Sequence, residues 1–397
     1  KIDGAIGPAS ASYISRALDT AAAQHDECLI VQLNTPGGLA DSMNDIINSF
    51  YSARVPTVVY VSPEGAMAAS AGCYITLAAD VAAMAPHTTI GAAHPVELES
   101  ANSDTTNSIM MQKVGNMYAK VMQSIAEKRH RNAAWAKSSV TSSEAITSEE
   151  ALSTNAIDLI AADLPALLKQ LDGRKVGETT LHTAGATIVE IPMTTWESFS
   201  RVFLQPGVMF ALMLMVIYGI IGELSSPGAI LPGVVGAIAL VLVLYMSAIL
   251  PVNIAGMVLM GLAVLLFIAD AYASTHGVLT TGGVIAFFLG ALMLFNRGVP
   301  GYELPLRWII PATVVTALFF IFVVSKGIRA QFHPVQTGRQ SMIGRVVNAQ
   351  SRIDPAGGKV FMDGEIWNAV SNAAVEPGQA VEIVGVSGLT LQVKPKN

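Results

Sequence analysis

Ser70 sits in Gly65-Ala66-Met67-Ala68-Ala69-Ser70-Ala71-Gly72, flanked on both sides by small residues. Such neighbours leave a hydroxyl uncovered and let a peptide backbone approach it. Where a helix begins, free N–H groups and the positive dipole end favour an anion. The oxyanion formed when a hydroxyl attacks a carbonyl is one such anion. The Ala71 N–H is one candidate donor. Asn34-Thr35-Pro36-Gly37-Gly38 offers the Gly38 N–H as a second. A single oxyanion donor is worth ~10²–10³ in rate. Taken alone, an alanine-flanked serine reads more readily as a helix-packing residue, and Pro-Gly-Gly as a tight turn.

A nucleophilic serine needs a base. His94 lies in Gly91-Ala92-Ala93-His94-Pro95, and Lys113 follows Met110-Met111-Gln112. Lys120 is two turns further along the same helical face. A lysine acts as a base only when neutral, so its usual pKa of ~10.4 must fall towards ~7–8 by burial. Lys113 has the more apolar setting and is the lysine expected to be buried. Lys128, Arg129 and Arg131 read as a solvated helix end, and Glu149, Glu150 and Asp158 as caps and surface.

The elements that must position these residues alternate in type. Residues 28–33 form a β-branched apolar run ending at the first glycine loop. Residues 39–53 have a helical stripe of Met43, Ile46, Ile47 and Phe50. A second buried strand is expected over 56–61, a small-residue helix over 66–79 and a strand over 81–84. This pattern predicts a mostly parallel α/β sheet with its chemistry at the strand C-terminal ends. Thr147 and Glu150 have capping-box spacing, and Asn155 suits a left-handed turn. Residues 173–205 read as a linker with one strand near 187–191, followed by an interfacial anchor of Trp196, Phe199 and Phe203.

Charge divides the chain into three. Residues 1–200 carry 12 Lys/Arg and 21 Asp/Glu, residues 201–325 carry three of each, and residues 326–397 carry eight and five. Charged residues are 13% of the chain, against ~25% in a soluble domain. The central block therefore belongs in lipid. Its apolar runs over 207–222, 229–250, 252–269, 278–295 and 308–325 give five expected spans. The second and third could instead form a re-entrant hairpin, since only Pro251 separates them. Gly233, Gly236 and Ala237 would let helices approach closely. Asp270 reads as interfacial. Lys326, Arg329, Arg339 and Arg345 after the last span predict a cytoplasmic C-terminus. Five spans then put residues 1–200 outside the cytoplasm. Lys1 is compatible with a processed signal upstream. Cys28 and Cys73 give neither a disulfide framework nor zinc spacing, and read as buried thiols. No metal or cofactor is expected, and no nucleic-acid partner, because the only net-basic part is short.

Residues 34–38, 63–72 and 91–95 together closely resemble the NfeD family of membrane-bound serine proteases, of the ClpP/crotonase superfold group. The similarity runs over essentially the whole chain, in its long form. It implies a ClpP-like α/β protease domain (1–172), a helical transmembrane bundle (206–326) and a small OB-like barrel (338–397). It also implies a Ser–Lys dyad of Ser70 and Lys113, the latter ahead of Asn116 and Ser124-Ile125-Ala126. Gly38 and Ala71 again fall at the oxyanion donors. His94 lies about where cytosolic ClpP-type proteases carry a histidine, which keeps a Ser–His pair open. The implied partner is a stomatin/prohibitin-type membrane protein, and relatives that assemble suggest a homo-oligomer.

The last segment reads independently as five short strands over 343–347, 358–362, 365–370, 380–386 and 389–393, separated by Gly- and Pro-bearing turns. That spacing predicts a closed OB-type barrel. With only Phe361 and Trp367 as strand aromatics, a protein-binding role is favoured over nucleic acid. The expected activity is a membrane-anchored serine endopeptidase acting on apolar segments near the bilayer. A non-enzymatic scaffold paired with a stomatin-like protein is the alternative. An acyl-CoA enzyme of crotonase type lacks the basic cluster a CoA phosphate needs.

Overall fold

The β-branched runs become strands of a sheet buried on both faces. The computed structural model describes residues 1–95, 105–225, 230–272, 278–295, 299–324 and 341–396. The first elements are β1 (Ile2–Asp3), α1 (Pro8–Gln24), β2 (Leu29–Asn34), α2 (Ala40–Ser52), β3 (Thr57–Val61), β4 (Met67–Ala69), α3 (Ala71–Ala78), β5 (Val81–Met84) and β6 (Thr89–Gly91). Then follow α4 (Thr105–Lys128), α5 (Ala133–Thr141), β7 (Ala145–Thr147), α6 (Ser148–Ser153), β8 (Leu159–Ile160), α7 (Leu164–Leu171), β9 (Lys175–Val176), β10 (Thr179–Thr180) and α8 (Thr195–Phe203).

Strands β1-β2-β3-β5-β8 form one parallel sheet in that order. Alternate residues of β3 serve two cores, as the period of two requires. Val59 and Val61 join the larger core with α1 to α5, whereas Val58 and Tyr60 join the smaller one under α7. Strands β4-β6-β7 form a second sheet. Residues 66–69, expected to be helical, are therefore extended: β4 pairs with β6, and the carbonyl of Thr35 accepts the Ala69 N–H. Small residues alone did not separate helix from strand there. No strand forms at 187–191; the short pairing in this region is β9 with β10 instead. The Thr147 capping box and the left-handed Asn155 (φ 60°) are as expected. Cys73 is fully buried and Cys28 half-buried, and burial pushes their thiols up to about 12 and about 11.

The arginines expected in solvent are instead structural. Arg131 is 6% exposed and donates to the carbonyls of Leu77 (2.6 Å) and Ala79 (2.9 Å) and to the Asp158 carboxylate. Arg129 donates to the Ala78 carbonyl (2.8 Å) and pairs with Asp80. The two guanidinium groups thus satisfy carbonyls that the C-terminus of α3 leaves without intrahelical partners. Asp158 also accepts the Ala82 N–H and pairs with Arg174, so it is not a surface group. Lys128 lies 3.6 Å above the Tyr51 ring.

Amphipathic α8 is clamped to α1. Arg16 holds the buried Glu197 through two 2.8 Å bonds, and a capping box from Thr194 starts the helix. Trp196, Phe199 and Phe203 stack along one side, with Trp196 72% exposed.

The apolar block folds as α9 (Pro206–Ser225), α10 (Leu231–Ser247), α11 (Ile254–Tyr272), α12 (Val278–Met293) and α13 (Leu306–Leu318), the last continuing as a π-helical turn over Phe319–Val324. Among the described residues one helix, Pro206–Leu224, is by itself long and apolar enough to cross a membrane; the other four apolar helices are shorter. Helix α10 packs mainly against α9, and α11 against α12. Glycines make both pairings close. A β-carbon on Gly219 would sit 2.7 Å from the Gly236 α-carbon, and one on Gly290 2.9 Å from the Gly256 carbonyl. Asp270 accepts a 2.6 Å bond from Thr280 at the α11–α12 turn. Residues 226–229, 273–277 and 296–298, between the expected spans, lie outside the described residues, as do Lys326, Arg329 and Arg339.

Residues 325–397 form a separate unit. Its strands β11 (Val346–Ala349), β12 (Gly358–Met362), β13 (Glu365–Val370), β14 (Ala380–Ser387) and β15 (Thr390–Pro395) close a barrel in the order β11-β12-β13-β15-β14. Ile353, Val360, Ala369, Val381, Ile383 and Leu391 fill it.

Two outcomes follow for unfolding of the full chain in detergent micelles. Arg131→Ala removes a partner from Asp158 and from the carbonyls of Leu77, Ala79 and Asp80, and is expected to cost ~3–5 kcal/mol. The Arg16 hydrogen bonds, with help from Thr194, hold Glu197 down at about 2 against an ordinary 4.5. A depressed carboxylate stabilises above its unfolded value and loses that contribution as pH falls through its folded value. The destabilisation by Glu197→Gln should therefore be complete at neutral pH and shrink as pH falls from about 4.5 to about 2. Differential scanning at stepped pH measures it.

Candidate functional site

The two glycine-bearing loops are stitched together. The Thr35 N–H donates to the Met67 carbonyl (2.8 Å), the Ala69 N–H to the Thr35 carbonyl (3.1 Å), and the Met67 N–H to Asn34 Oδ1 (3.1 Å). Thr35, fully buried, also bonds Gly37 through its hydroxyl (2.9 and 3.0 Å) and so shapes the Pro36-Gly37-Gly38 turn. A β-carbon on Gly72 would meet the Thr35 methyl at 2.5 Å. Thr35 lies within the motif that the sequence singled out, but its role depends on contacts 30 residues away, which spacing does not reveal.

Ser70 is the residue at which β4 turns into α3. Its φ of 48° and ψ of −118° are costly for a residue with a β-carbon, of order 1–3 kcal/mol. The Ser70 N–H is tied to the Ala92 carbonyl (3.2 Å), and its carbonyl accepts the Cys73 N–H (3.0 Å). A β-carbon on Gly37 (φ 126°) would stand 2.7 Å from Ser70 Cβ and 3.2 Å from Oγ. The bare α-carbon of Gly37 is thus what gives the serine hydroxyl room.

Gly38 is fixed from its other side. The Ile6 N–H donates to the Gly37 carbonyl (2.8 Å), and the Ile6 carbonyl accepts the Leu39 N–H (2.9 Å). These bonds bracket Gly38 and leave its own N–H unused. Among the described residues neither the Gly38 nor the Ala71 N–H has a hydrogen-bond acceptor. Both sit beside Ser70, one on the neighbouring loop and one at the first position of α3. A serine with two such donors can attack a carbonyl and stabilise the resulting oxyanion.

The bases are less settled by geometry. His94 follows β6, with Nδ1 2.8 Å from the Val140 carbonyl and its Cε1 beside Gly115 of α4. Since a carbonyl only accepts, Nδ1 carries a proton, and in the neutral ring Nε2 is left as the acceptor. Lys113 differs from its expectation. It is exposed, nine residues before the fully buried Met122, or about two and a half turns, and so emerges from the opposite face of α4. Its apolar neighbours do not mark a buried face, because Met117 and Val121 on this part of α4 are exposed as well. Lys120 is exposed and donates to Gln123 (3.2 Å). Among the described residues no hydrogen bond joins Ser70 to Lys113 or to His94. Tyr74, one turn into α3, packs edge-on against Tyr118 of α4 and so ties the serine helix to the lysine helix. The described side chains hold no cluster suited to a metal ion.

Three family models match the chain. Residues 2–164 match the NfeD1b N-terminal domain, residues 207–326 the NfeD integral membrane domain, and residues 339–395 the NfeD-like C-terminal, partner-binding domain. The membrane-bound protease PH1510 of Pyrococcus horikoshii is 32% identical over 410 residues, covering 99% of this chain and 92% of its own. Membrane protein NfeD1b of Bacillus subtilis is 27% identical over 420 residues, covering 97% and 89%. Among solved structures, the 1510-N membrane protease specific for a stomatin homolog from Pyrococcus horikoshii is 28% identical, covers 51% of this chain and 94% of its own, and has a TM-score of 0.42. With a relative this similar from end to end, the chain belongs to the NfeD family of membrane-bound proteases.

Proposed function

We propose that the chain is a membrane-anchored serine endopeptidase. Ser70 attacks a peptide carbonyl, Lys113 takes its proton, and the Gly38 and Ala71 N–H groups hold the oxyanion. The proton then passes to the leaving amine, and water hydrolyses the acyl-enzyme with the same base assisting. The junction at Ser70 carries the reading: a strained serine turn, two unused N–H groups beside it and a bare glycine α-carbon against the hydroxyl. A lysine base needs water displaced from around it. Exposed Met117 and Val121 on the Lys113 side of α4 offer an apolar segment a surface on which to do so. A substrate segment or a second copy lying there supplies the cover, so the dyad is completed on binding. His94 is the competing base, supported by the Val140 carbonyl that orients its ring.

The substrates fitting this reading are apolar segments of membrane-associated proteins. A stomatin/prohibitin-type protein is the proposed partner. The Pyrococcus horikoshii structure is of a protease specific for a stomatin homolog, and residues 339–395 match a partner-binding domain. The five apolar helices are proposed to cross the bilayer in alternating directions. Contacts between their ends support this. Glu223 meets Gly233, Asn253 donates to the Leu294 carbonyl (2.9 Å), and Thr280 meets Asp270. The basic flank after the last span favours a cytoplasmic C-terminal end and an extracytoplasmic site.

A fluorophosphonate probe on the full chain in micelles tests the chemistry. Labelling should vanish in Ser70→Ala; a variant still labelled at the same rate removes Ser70 from the role. Lys113→Ala should slow labelling by ~10²–10⁴ with His94→Ala near wild type. The opposite order transfers the base role to His94. Gly37→Ala places a β-carbon 2.7 Å from Ser70 Cβ and should slow labelling at least ~10²-fold. Full biological rescue by Ser70→Ala would favour a scaffold over an enzyme.

A further inference from the structure

The segment that fixes Gly38 has a second neighbour. Residues 3–7 lie along the glycine loop on one edge: the Gly4 N–H donates to the Asn34 carbonyl (2.9 Å), and Ile6 brackets Gly38 as described. Their other contacts are with elements next to the membrane block. Arg201 of α8 donates to the Asp3 carbonyl. Gly301 and Tyr302, in the connection between α12 and α13, reach the same strip. A β-carbon on Gly301 would stand 2.7 Å from Ala5 Cβ, which brings two backbones into close approach. Tyr302 is 6% exposed, and its hydroxyl donates to the Ile6 carbonyl over a long 3.4 Å. Gly7 leaves room for it, since a β-carbon there would be 2.5 Å from the Tyr302 oxygen.

One carbonyl, that of Ile6, therefore takes the Leu39 N–H from the glycine loop and the hydroxyl of a residue carried by the membrane helices. Ile6 is wholly buried and its backbone is bonded on both sides, so it has little freedom to absorb a displacement. A shift of the α12–α13 connection passes to residues 4–7 and then to Gly38, whose N–H must point at the oxyanion within tenths of an ångström to be effective.

From this juxtaposition we infer that the α12–α13 connection sets the oxyanion loop, with Tyr302 as a positioning residue for the peptidase site. The inference rests on the proposed role of Gly38 and adds a source of control. The arrangement of the membrane helices determines whether the hole is formed. Packing of the buried Tyr302 ring does most of the positioning, because the hydroxyl bond is long. The link is mechanical and leaves the base untouched.

The test uses the full-length protein in micelles and the rate and half-saturation of fluorophosphonate labelling at Ser70. Tyr302→Ala should lower the maximal labelling rate about tenfold with half-saturation unchanged, as expected for an indirectly displaced oxyanion donor. Its pH profile should keep the wild-type shape. Tyr302→Phe retains the ring and should label within about twofold of wild type. Gly7→Ala, which displaces the tyrosine from the other side, should be as slow as Tyr302→Ala, and the double variant no slower than either single one. Equal maximal rates for wild type and Tyr302→Ala overturn the inference and leave the Ser70 assignment standing. Additive losses in the double variant also overturn it. Wild-type protein that does not label at Ser70 fails the underlying reading instead. If Tyr302→Ala unfolds, Gly7→Ala and Tyr302→Phe still decide between positioning and bulk destabilisation, since lowered stability with unchanged maximal rate contradicts the inference.

Discussion

The site depends on how firmly the short helix α3 is held, because Ser70 cannot keep an unfavourable backbone conformation unless its surroundings impose it. Both ends are fixed. At the start, the Ser70 N–H is bonded to Ala92, and Gly72 is pressed against buried Thr35. At the end, Arg129 and Arg131 take up the carbonyls of Leu77, Ala78 and Ala79. An eight-residue helix has little stability of its own. Here it contributes a rigid mount, with two arginine charges, that of Arg131 buried, at one end balanced by Asp80 and Asp158. Those ion pairs lie far from the serine in the chain, yet they hold the element that presents it.

This arrangement explains which parts of the fold were legible in the sequence. Strands β2, β3 and β5 and helix α2 were readable because apolar periodicity and Gly/Pro punctuation are local signals. The barrel was readable for the same reason, strand by strand. The Ser70 loop and the Pro-Gly-Gly loop could be put in one crevice, since they leave successive strands of a parallel sheet. What the sequence hid was long-range. Residues 66–69 are extended because β6 and Thr35 offer them partners, not because of their own propensity. Arg131 looked like one more charge near a helix end; only its location under the last turn of α3 makes it a buried cap. Thr35 and Ile6 gave no chemical signal, being a threonine in a turn and an isoleucine near the first strand.

Lys113 shows the limit most clearly. Methionine and valine neighbours suggested burial, but α4 carries apolar residues on two sides. One set, with Ala119, Met122, Ile125 and Ala126, enters the core. The other, with Met117 and Val121, faces outward together with Lys113. A helix apolar on more than one face is a helix with a second partner, or one that meets a membrane or substrate. Composition counts both sets alike, so it could not tell which face the lysine shares.

An uncovered lysine has a consequence for a peptidase beside a bilayer. In the proposed mechanism the alcohol of Ser70 has its two donors beside it in the lone chain, whereas the Lys113 side chain is exposed, and a lysine serves as a base only where water is displaced from around it. On the proposed reading, chemistry therefore waits for an apolar segment to displace water from α4. An extended polar peptide passing the serine would meet donors but no base. An apolar segment would supply its own desolvation, and the free energy of that burial, ~25 cal/mol per Å² of apolar surface, would go in part into stripping water from the amine. Selectivity for apolar chain then needs no deep specificity pocket, because activation and recognition are the same event.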